Sequence, residues 1–132
     1  LVFTSVQNMA IPNSVSNEKL LKLPFVLRER GSGTLEIIEK NLQEHQISSK
    51  QLNVLLFLGS TEAIKSFIKT GNGVGIVSRF AIEQELSSHI FRLIDTPDIK
   101  FYRQFNFISP QGPEPVGLAK LFLNFVQKHY NH

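Results

Sequence analysis

The chain has 132 residues, a length that fits one domain or a large part of one and excludes two independent cores. Hydrophobic residues make up 42% and charged residues 19% of the sequence, a globular composition that excludes disordered and collagen-like chains. The absence of cysteine excludes disulfides, thiolate catalysis and cysteine-based metal sites, and a cytoplasmic location is the expectation. The net charge of +3 comes from dispersed Lys and Arg residues and does not by itself indicate nucleic-acid binding.

The beginning of the chain carries no pattern of export. No window of 18 consecutive apolar residues occurs, and a basic segment followed by an apolar stretch and a small-residue cleavage site is missing. The chain opens on Leu1, not on an initiator methionine, within a segment that reads as a strand. We therefore expect a fragment of a longer protein, with neither a membrane span nor a secretory signal in this sequence.

Short apolar runs rich in Val, Ile and Phe alternate with segments of helical period, which is typical of α/β layering. Strands are predicted, in chain order, at residues 1–6, 25–28, 53–58, 74–77, 90–94 and 101–109. Helices are predicted at residues 16–22, 35–46, 61–70, 79–86 and 116–130. The run at 53–58 is apolar enough to be a buried parallel strand. No repeat of 20 to 50 residues is visible, so a solenoid or propeller is not indicated.

The glycines at 71, 73 and 75 form a cluster whose spacing does not match a dinucleotide-binding loop. The third glycine follows the second by two residues instead of three, and the cluster lies after a predicted helix and before a strand. We interpret it as the end of a helix, with a left-handed glycine, followed by the close-packed start of a strand.

Two other glycine-containing turns each follow a predicted strand and open a helix. They are Gly31-Ser32-Gly33-Thr34 and Gly59-Ser60-Thr61. No lysine follows either turn in a nucleotide-hydrolysis pattern. At such a junction the unpaired helix N–H groups, the positive end of the helix dipole and nearby hydroxyls can hold a carboxylate, sulfate or phosphate. The alternative is that the Ser and Thr residues only cap their helices, a role worth about 1 kcal/mol each.

Few other side chains suggest chemistry. Arg28 and Glu29 end the strand at 25–28, beside the first turn, and are either a solvated pair or part of the mouth of a ligand cleft. The four histidines are scattered and do not form a metal site. No paired carboxylates lie in an apolar run and no Gly-x-Ser-x-Gly elbow occurs, so an enzyme is not indicated.

Three segments, taken with the order of the elements, resemble the effector-binding domain of LysR-type transcriptional regulators. They are residues 23–29 leading into 31–34, residues 59–65 and residues 71–78. The resemblance implies an α/β fold, a three-layer sandwich of the type II periplasmic-binding-protein kind, in which two subdomains joined by two crossover strands hold a small-molecule effector between them. It further implies that the chain is a truncated effector-binding domain with a first crossover strand and loop (1–15), a second subdomain (16–98) and a return crossover strand with a C-terminal helix (99–132).

The resemblance also implies site residues. A small anionic effector would meet the two turns and the strand ends, that is Arg28, Glu29, Ser32, Gly33, Thr34, Gly59, Ser60, Thr61 and Ser78. The family's usual proline after the Gly-rich strand is replaced here by Ser78, which adds a hydroxyl at the cleft floor. A homo-oligomer is implied through the strand at 53–58 and the helix that follows, that is Asn53, Leu55, Glu62, Lys65, Ser66 and Lys69.

Two other function classes share this fold. A solute-binding protein of a transport system would normally be exported, and some ligases and dehydratases borrow the same architecture. For the LysR interpretation we expect no cofactor, no metal and no membrane contact. DNA would be bound only through an N-terminal helix-turn-helix that this chain does not contain, so the chain alone should not bind duplex DNA specifically.

Overall fold

A computed structural model describes residues 1–102, 106, 108 and 111–130 of the chain. Five strands form one sheet in the order β3-β2-β4-β1-β5. Their bounds are β1 Val2–Val6, β2 Phe25–Arg28, β3 Val54–Leu58, β4 Val74–Val77 and β5 Phe91–Ile94. The helices are α1 Asn17–Leu20, α2 Gly33–Glu44, α3 Thr61–Ile68, α4 Glu83–Ser87 and α5 Leu118–Tyr130, with short 3₁₀ turns at Ser49–Gln51 and Arg79–Ile82.

The strand directions place the carboxyl ends of β2, β3 and β4 at the same end of the sheet. β2 runs parallel to both β3 and β4, whereas β1 is antiparallel to β4 and β5. The pairing of Val2 with Val77 sets the beginning of β1 beside the end of β4. Ligands bind outside the carboxyl ends of strands in open α/β sheets. A ligand site is therefore expected at this end of the sheet.

Two apolar clusters cover the two faces of the sheet, because alternate residues of each strand point to opposite sides. On one face, Phe25 and Leu27 of β2 pack in the same cluster as the buried residues of α2, among them Ile38. On the other face, Val26 packs with the α3 residues Ile64 and Ile68. The resulting order of helix, sheet and helix confirms the three-layer α/β prediction.

The glycine cluster at 71–75 has the structural role that its spacing indicated. Gly71 has a φ of +87°, a left-handed conformation that ends the α3 segment at low steric cost. Gly75 faces α3, where an added Cβ would lie 2.6 Å from Ile68 Cδ1 and 3.1 Å from Ile64 Cγ2. Gly71 therefore ends the α3 segment, and Gly75 lets α3 approach the sheet closely.

Three predictions of secondary structure need correction. The strand at 53–58 is parallel as predicted but not buried: it lies at the edge of the described sheet, and Leu55 and Phe57 are 48% and 47% exposed. The register between β2 and β3 also shifts at Phe25 and Val26. The helix predicted at 79–86 is divided, because Ile82, with a φ of −119° and a ψ of 12°, separates the 3₁₀ turn from α4.

The third correction concerns the strand predicted at 101–109. Of its residues the structure describes Phe101, Tyr102, Asn106 and Ile108, and none of these lies in a strand; the other five residues are outside the described part of the chain. Phe101 instead packs against Phe3, with ring centroids 5.1 Å apart. The final helix is present as α5, and it exposes the large apolar side chains Leu118, Leu121, Phe122 and Phe125.

Candidate functional site

A cavity of about 470 Å³ lies at the carboxyl ends of the parallel strands. It is lined by Leu1, Arg28, Glu29, Gly31, Ser32, Gly33, Thr34, Thr61 and Ser78. The structure therefore brings together seven of the nine predicted effector-binding residues. Gly59 and Ser60 belong to the same turn as Thr61 but do not line the cavity.

The beginning of α2 supplies one wall. Ser32 is the N-cap residue, 7% exposed, and its Oγ accepts a hydrogen bond from the Thr34 N–H at 3.2 Å. Gly31, with a φ of +84°, makes the turn that leads into this cap. The Thr34 side chain lies in the cavity wall, and in the described part of the chain its hydroxyl has no hydrogen-bond partner. Ser32 thus caps α2 and lines the cavity, whereas Thr34 lines the cavity with its hydroxyl unbonded.

The beginning of α3 repeats this arrangement. Ser60 is the N-cap residue, and its Oγ accepts a hydrogen bond from the Ala63 N–H at 3.1 Å. Thr61, the first helical residue, lines the cavity, and among the described residues no partner bonds its hydroxyl. The two serines therefore cap their helices, as the alternative interpretation held, whereas the two threonine hydroxyls are available to a ligand.

Arg28 and Glu29 form the charged part of the lining. Arg28 Nε donates to Glu29 Oε2 at 2.9 Å and its terminal Nη2 donates to Oε1 at 3.0 Å, a two-point ion pair. The hydrogen bond to Glu29 raises the pKa of Arg28, and the hydrogen bond from Arg28 lowers the pKa of Glu29. Both groups therefore stay ionised at neutral pH. The side chains are 22% and 42% exposed, and both line the cavity.

The remaining lining residues come from the other two strands that meet here. Ser78 follows β4 and begins the 3₁₀ turn at Arg79–Ile82 without forming a side-chain cap. Leu1 precedes β1, and it lines the cavity because β1 is antiparallel to β4. Sequence reasoning missed Leu1 and Gly31: Gly31 was in a singled-out turn, but the position of Leu1 depends on strand pairing.

A larger groove of about 660 Å³ lies elsewhere, between α2, β3 and the 3₁₀ turn at Ser49–Gln51. Its lining is apolar at Leu27, Leu35, Leu52, Val54 and Phe57, with charged side chains at the rim. None of the predicted effector-binding residues lines it. We therefore take the smaller, more polar cavity as the candidate site, because hydroxyls, a helix start and an ion pair converge there.

The residues predicted to form an oligomer interface are placed in two environments. Asn53, Leu55, Glu62, Ser66 and Lys69 are exposed. Lys65 is buried, and its Nζ lies 2.9 Å from Glu85 Oε1 of α4 and 3.2 Å from Glu62 Oε1. Lys69 also reaches Glu85 Oε1, at 3.4 Å. Lys65 thus takes part in an ion-pair cluster between α3 and α4 within the chain.

Two negative observations apply to the described residues only. No group of three or more His, Cys, Asp or Glu side chains is placed there to hold a metal ion. No helix in that part of the chain is long and apolar enough to cross a membrane.

The fold and the cavity define a class: an open α/β domain with a polar cavity where such sheets bind small ligands. A family model described as the LysR substrate binding domain matches residues 2–131. The chain belongs to this family.

Comparison with known proteins agrees with this membership. An uncharacterized HTH-type transcriptional regulator of Methanocaldococcus jannaschii is 30% identical over 111 residues, which cover 84% of this chain and 38% of that protein. The chain thus spans little more than a third of the length of this curated relative.

Solved structures confirm the fold. The regulatory domain of CcmR from Synechocystis, in complex with 2-PG, matches with a TM-score of 0.71 at 21% identity over 96% of this chain and 61% of that chain. The effector binding domain of QuiR, in complex with shikimate, matches with a TM-score of 0.67 at 16% identity over 98% of this chain and 62% of that chain. The type II periplasmic-binding-protein-like fold that the resemblance implied is therefore confirmed.

Proposed function

We propose that the chain is the effector-sensing part of a cytoplasmic transcription regulator and that it binds a small hydroxylated anion in the cavity at the carboxyl ends of β2, β3 and β4. The single observation that carries the proposal is the convergence, on one cavity, of the first residues of two helices with the unbonded hydroxyls of Thr34 and Thr61. Helix N-termini attract negative charge, and hydroxyls orient it.

The proposed mechanism is a shift between states of different closure. The beginnings of α2 and α3 would hold the anion on one side, and a second subdomain would hold it on the other. The anion would therefore bind the closed arrangement of the two subdomains more tightly than the open one and would favour the closed state. Closure would alter the geometry of the oligomer and so the spacing of DNA-binding segments outside this chain. No catalytic residue is required by this scheme.

Two observations disfavour the competing classes. The family model that matches nearly the whole chain is that of the LysR substrate binding domain, which favours a transcription regulator over a transport protein with the same fold. The charged side chains lining the cavity are paired with each other and not arranged as nucleophile and base, which argues against an enzyme.

Replacing Thr61 by Val tests the cavity, since it removes a hydroxyl while keeping the side-chain shape. We expect affinity for shikimate or methanesulfonate, used as hydroxylated and simple anion probes, to fall by about 1 to 2 kcal/mol, a few-fold to tens-fold, through a lost hydrogen bond. The measurement is an NMR titration of the intact gene product that follows the amides of Gly33, Thr34 and Thr61.

Ser60→Ala is the matched control, because Ser60 caps α3 without lining the cavity. This variant should lose about 1 kcal/mol of stability and keep the probe affinity within about twofold. Unchanged affinity in Thr61→Val, or shifts confined to other regions, would contradict the proposed site.

We also propose self-association through the exposed edge strand β3 and the adjoining face of α3. An edge strand presents unpaired backbone groups to a partner, and Leu55 adds an apolar side chain that is 48% exposed. Glu62 and Ser66 of α3 and its C-cap residue Lys69 are exposed beside it. Lys65 is not part of this proposed interface, because its side chain is buried against Glu85 within the chain.

Leu55→Glu should shift the sedimentation equilibrium toward the smaller species, by about tenfold or more in the dissociation constant, because a charge replaces an apolar contact. Ile90→Glu is the control at the opposite side of the sheet, where Ile90 is 41% exposed before β5. If Ile90→Glu dissociates the oligomer and Leu55→Glu does not, the β3 edge is not the interface.

A further inference from the structure

We infer that Glu29 sets the charge of the anion that the cavity accepts: it neutralises the Arg28 guanidinium and thereby restricts the cavity to singly charged ligands. This inference rests on the proposed function, because it concerns the same cavity. It assigns Glu29 a role in specificity and narrows the ligand class from anions in general to monoanions.

The geometry of the pair supports neutralisation. Both Glu29 oxygens are engaged, with Nε at 2.9 Å from Oε2 and Nη2 at 3.0 Å from Oε1, so the positive charge of Arg28 faces a carboxylate at contact distance. The third guanidinium nitrogen, Nη1, bonds no described residue. Arg28 can therefore still donate a hydrogen bond to a ligand, but it brings no net charge to the site.

The carboxylate is not needed to shape the turn. The Glu29 backbone N–H donates to the Leu58 carbonyl at 3.1 Å, and the Glu29 carbonyl accepts from the Ser32 N–H at 3.2 Å. These two backbone bonds fix the end of β2 against β3 and lead into the α2 cap, while the carboxylate itself accepts from Arg28 and from its own backbone N–H. The backbone bonds of Glu29 would form with another side chain at this position. The contact that depends on its carboxylate is the ion pair with Arg28.

The rest of the cavity compensates at most about one negative charge. Arg28 and Glu29 are the only charged side chains of the described lining, and each helix N-terminus is equivalent to roughly half a positive charge. The first turns also carry Glu36 in α2 and Glu62 in α3, which reduce that potential. A monoanion therefore fits the site better than a dianion, which would leave at least one charge uncompensated.

Sulfate and methanesulfonate test the inference, because they are similar tetrahedral anions with two charges and one. The experiment measures both dissociation constants at fixed ionic strength in the intact gene product, by the amide shifts of Gly33, Thr34 and Thr61. In the unaltered protein we expect sulfate to bind about tenfold more weakly than methanesulfonate, and equal dissociation constants would contradict the inference. In Glu29→Gln, the released charge of Arg28 should increase the preference for sulfate over methanesulfonate about tenfold.

Two controls separate this effect from a general change of charge. Glu36→Gln removes a carboxylate from the first turn of α2 without releasing Arg28. Because Glu36 lines the other groove and not this cavity, its removal should raise the preference for sulfate by no more than about threefold. Arg28→Gln combined with Glu29→Gln removes both partners and should restore the original preference.

The outcomes distinguish the two proposals. In one outcome both anions bind at these amides, while Glu29→Gln leaves the preference unchanged or Glu36→Gln raises it equally. The proposed role of Glu29 is then wrong, and the proposed anion site is still supported. If neither anion shifts these amides in any variant, the cavity and the role of Glu29 are both wrong.

Discussion

Glu85→Ala is expected to lower the free energy of unfolding by about 3 kcal/mol, because it leaves a buried ammonium without its main partner. The Lys65 and Glu85 side chains are only 11% and 8% exposed, and their charged atoms lie 2.9 Å apart. Glu62 also reaches Lys65, at 3.2 Å, but is itself 77% exposed and compensates weakly. Chemical denaturation of the variant and the parent protein measures the loss.

Glu83→Ala is the matched control on the same helix, since Glu83 is exposed and forms no ion pair in the described chain. It should change stability by less than about 0.5 kcal/mol. Lys65→Met combined with Glu85→Leu replaces both charges by apolar groups and should cost less than Glu85→Ala alone. A loss below about 1 kcal/mol in Glu85→Ala would show that the pair is not buried as described.

The same pair gives stability a defined pH dependence. Burial acts to raise the pKa of Glu85, but hydrogen bonds from Lys65, from its own backbone and from Lys69 together lower it below the ordinary 4.5. The stabilisation that ionised Glu85 contributes is therefore present above pH 4.5 and is lost as the pH falls through the lower pKa of the folded state. The hydrogen bond to Glu85 raises the pKa of Lys65 above 10.5, so that contribution is lost only as the pH rises beyond this value. The stability difference between parent and Glu85→Ala should accordingly shrink below about pH 4.

Much of the candidate site could be predicted from the sequence because its signals are local. A strand followed by a glycine, a serine and a helical period fixes a helix start within a few residues, and both such starts are found, at Ser32 and Ser60. Because β2 and β3 are parallel neighbours, the helices that follow them begin at the same end of the sheet. The fold class follows from the same alternation of strand and helix.

The features that sequence reasoning missed depend on contacts between distant segments. An apolar strand has the same pattern in the middle of a sheet and at its edge, so the exposure of Leu55 and Phe57 was not visible in β3. Lys65 has the spacing of a surface residue, and only the packing of α4 on α3 buries it against Glu85. The place of Leu1 in the cavity likewise follows from the pairing of β1 with β4.

Gly73→Ala is expected to destabilise the chain by about 1 to 3 kcal/mol through overpacking between β4 and α3. A Cβ at Gly73 would lie 2.8 Å from Val26 Cγ2 and 3.1 Å from Phe67 Cε1. Val26 is fully buried on the interior strand β2 and its branched side chain is stiff, so it cannot move away at low cost. Gly59→Ala is the control, because nothing lies within 4 Å of its Cβ position and its φ is not left-handed; it should be neutral or slightly stabilising. Thermal and urea unfolding compare the two variants, and equal stabilities would mean that α3 does not approach the sheet as closely as these distances state. Because α3 begins at Thr61, a displaced α3 should also weaken binding of the methanesulfonate probe, so the Gly73→Ala variant links packing behind the sheet to the cavity at its edge.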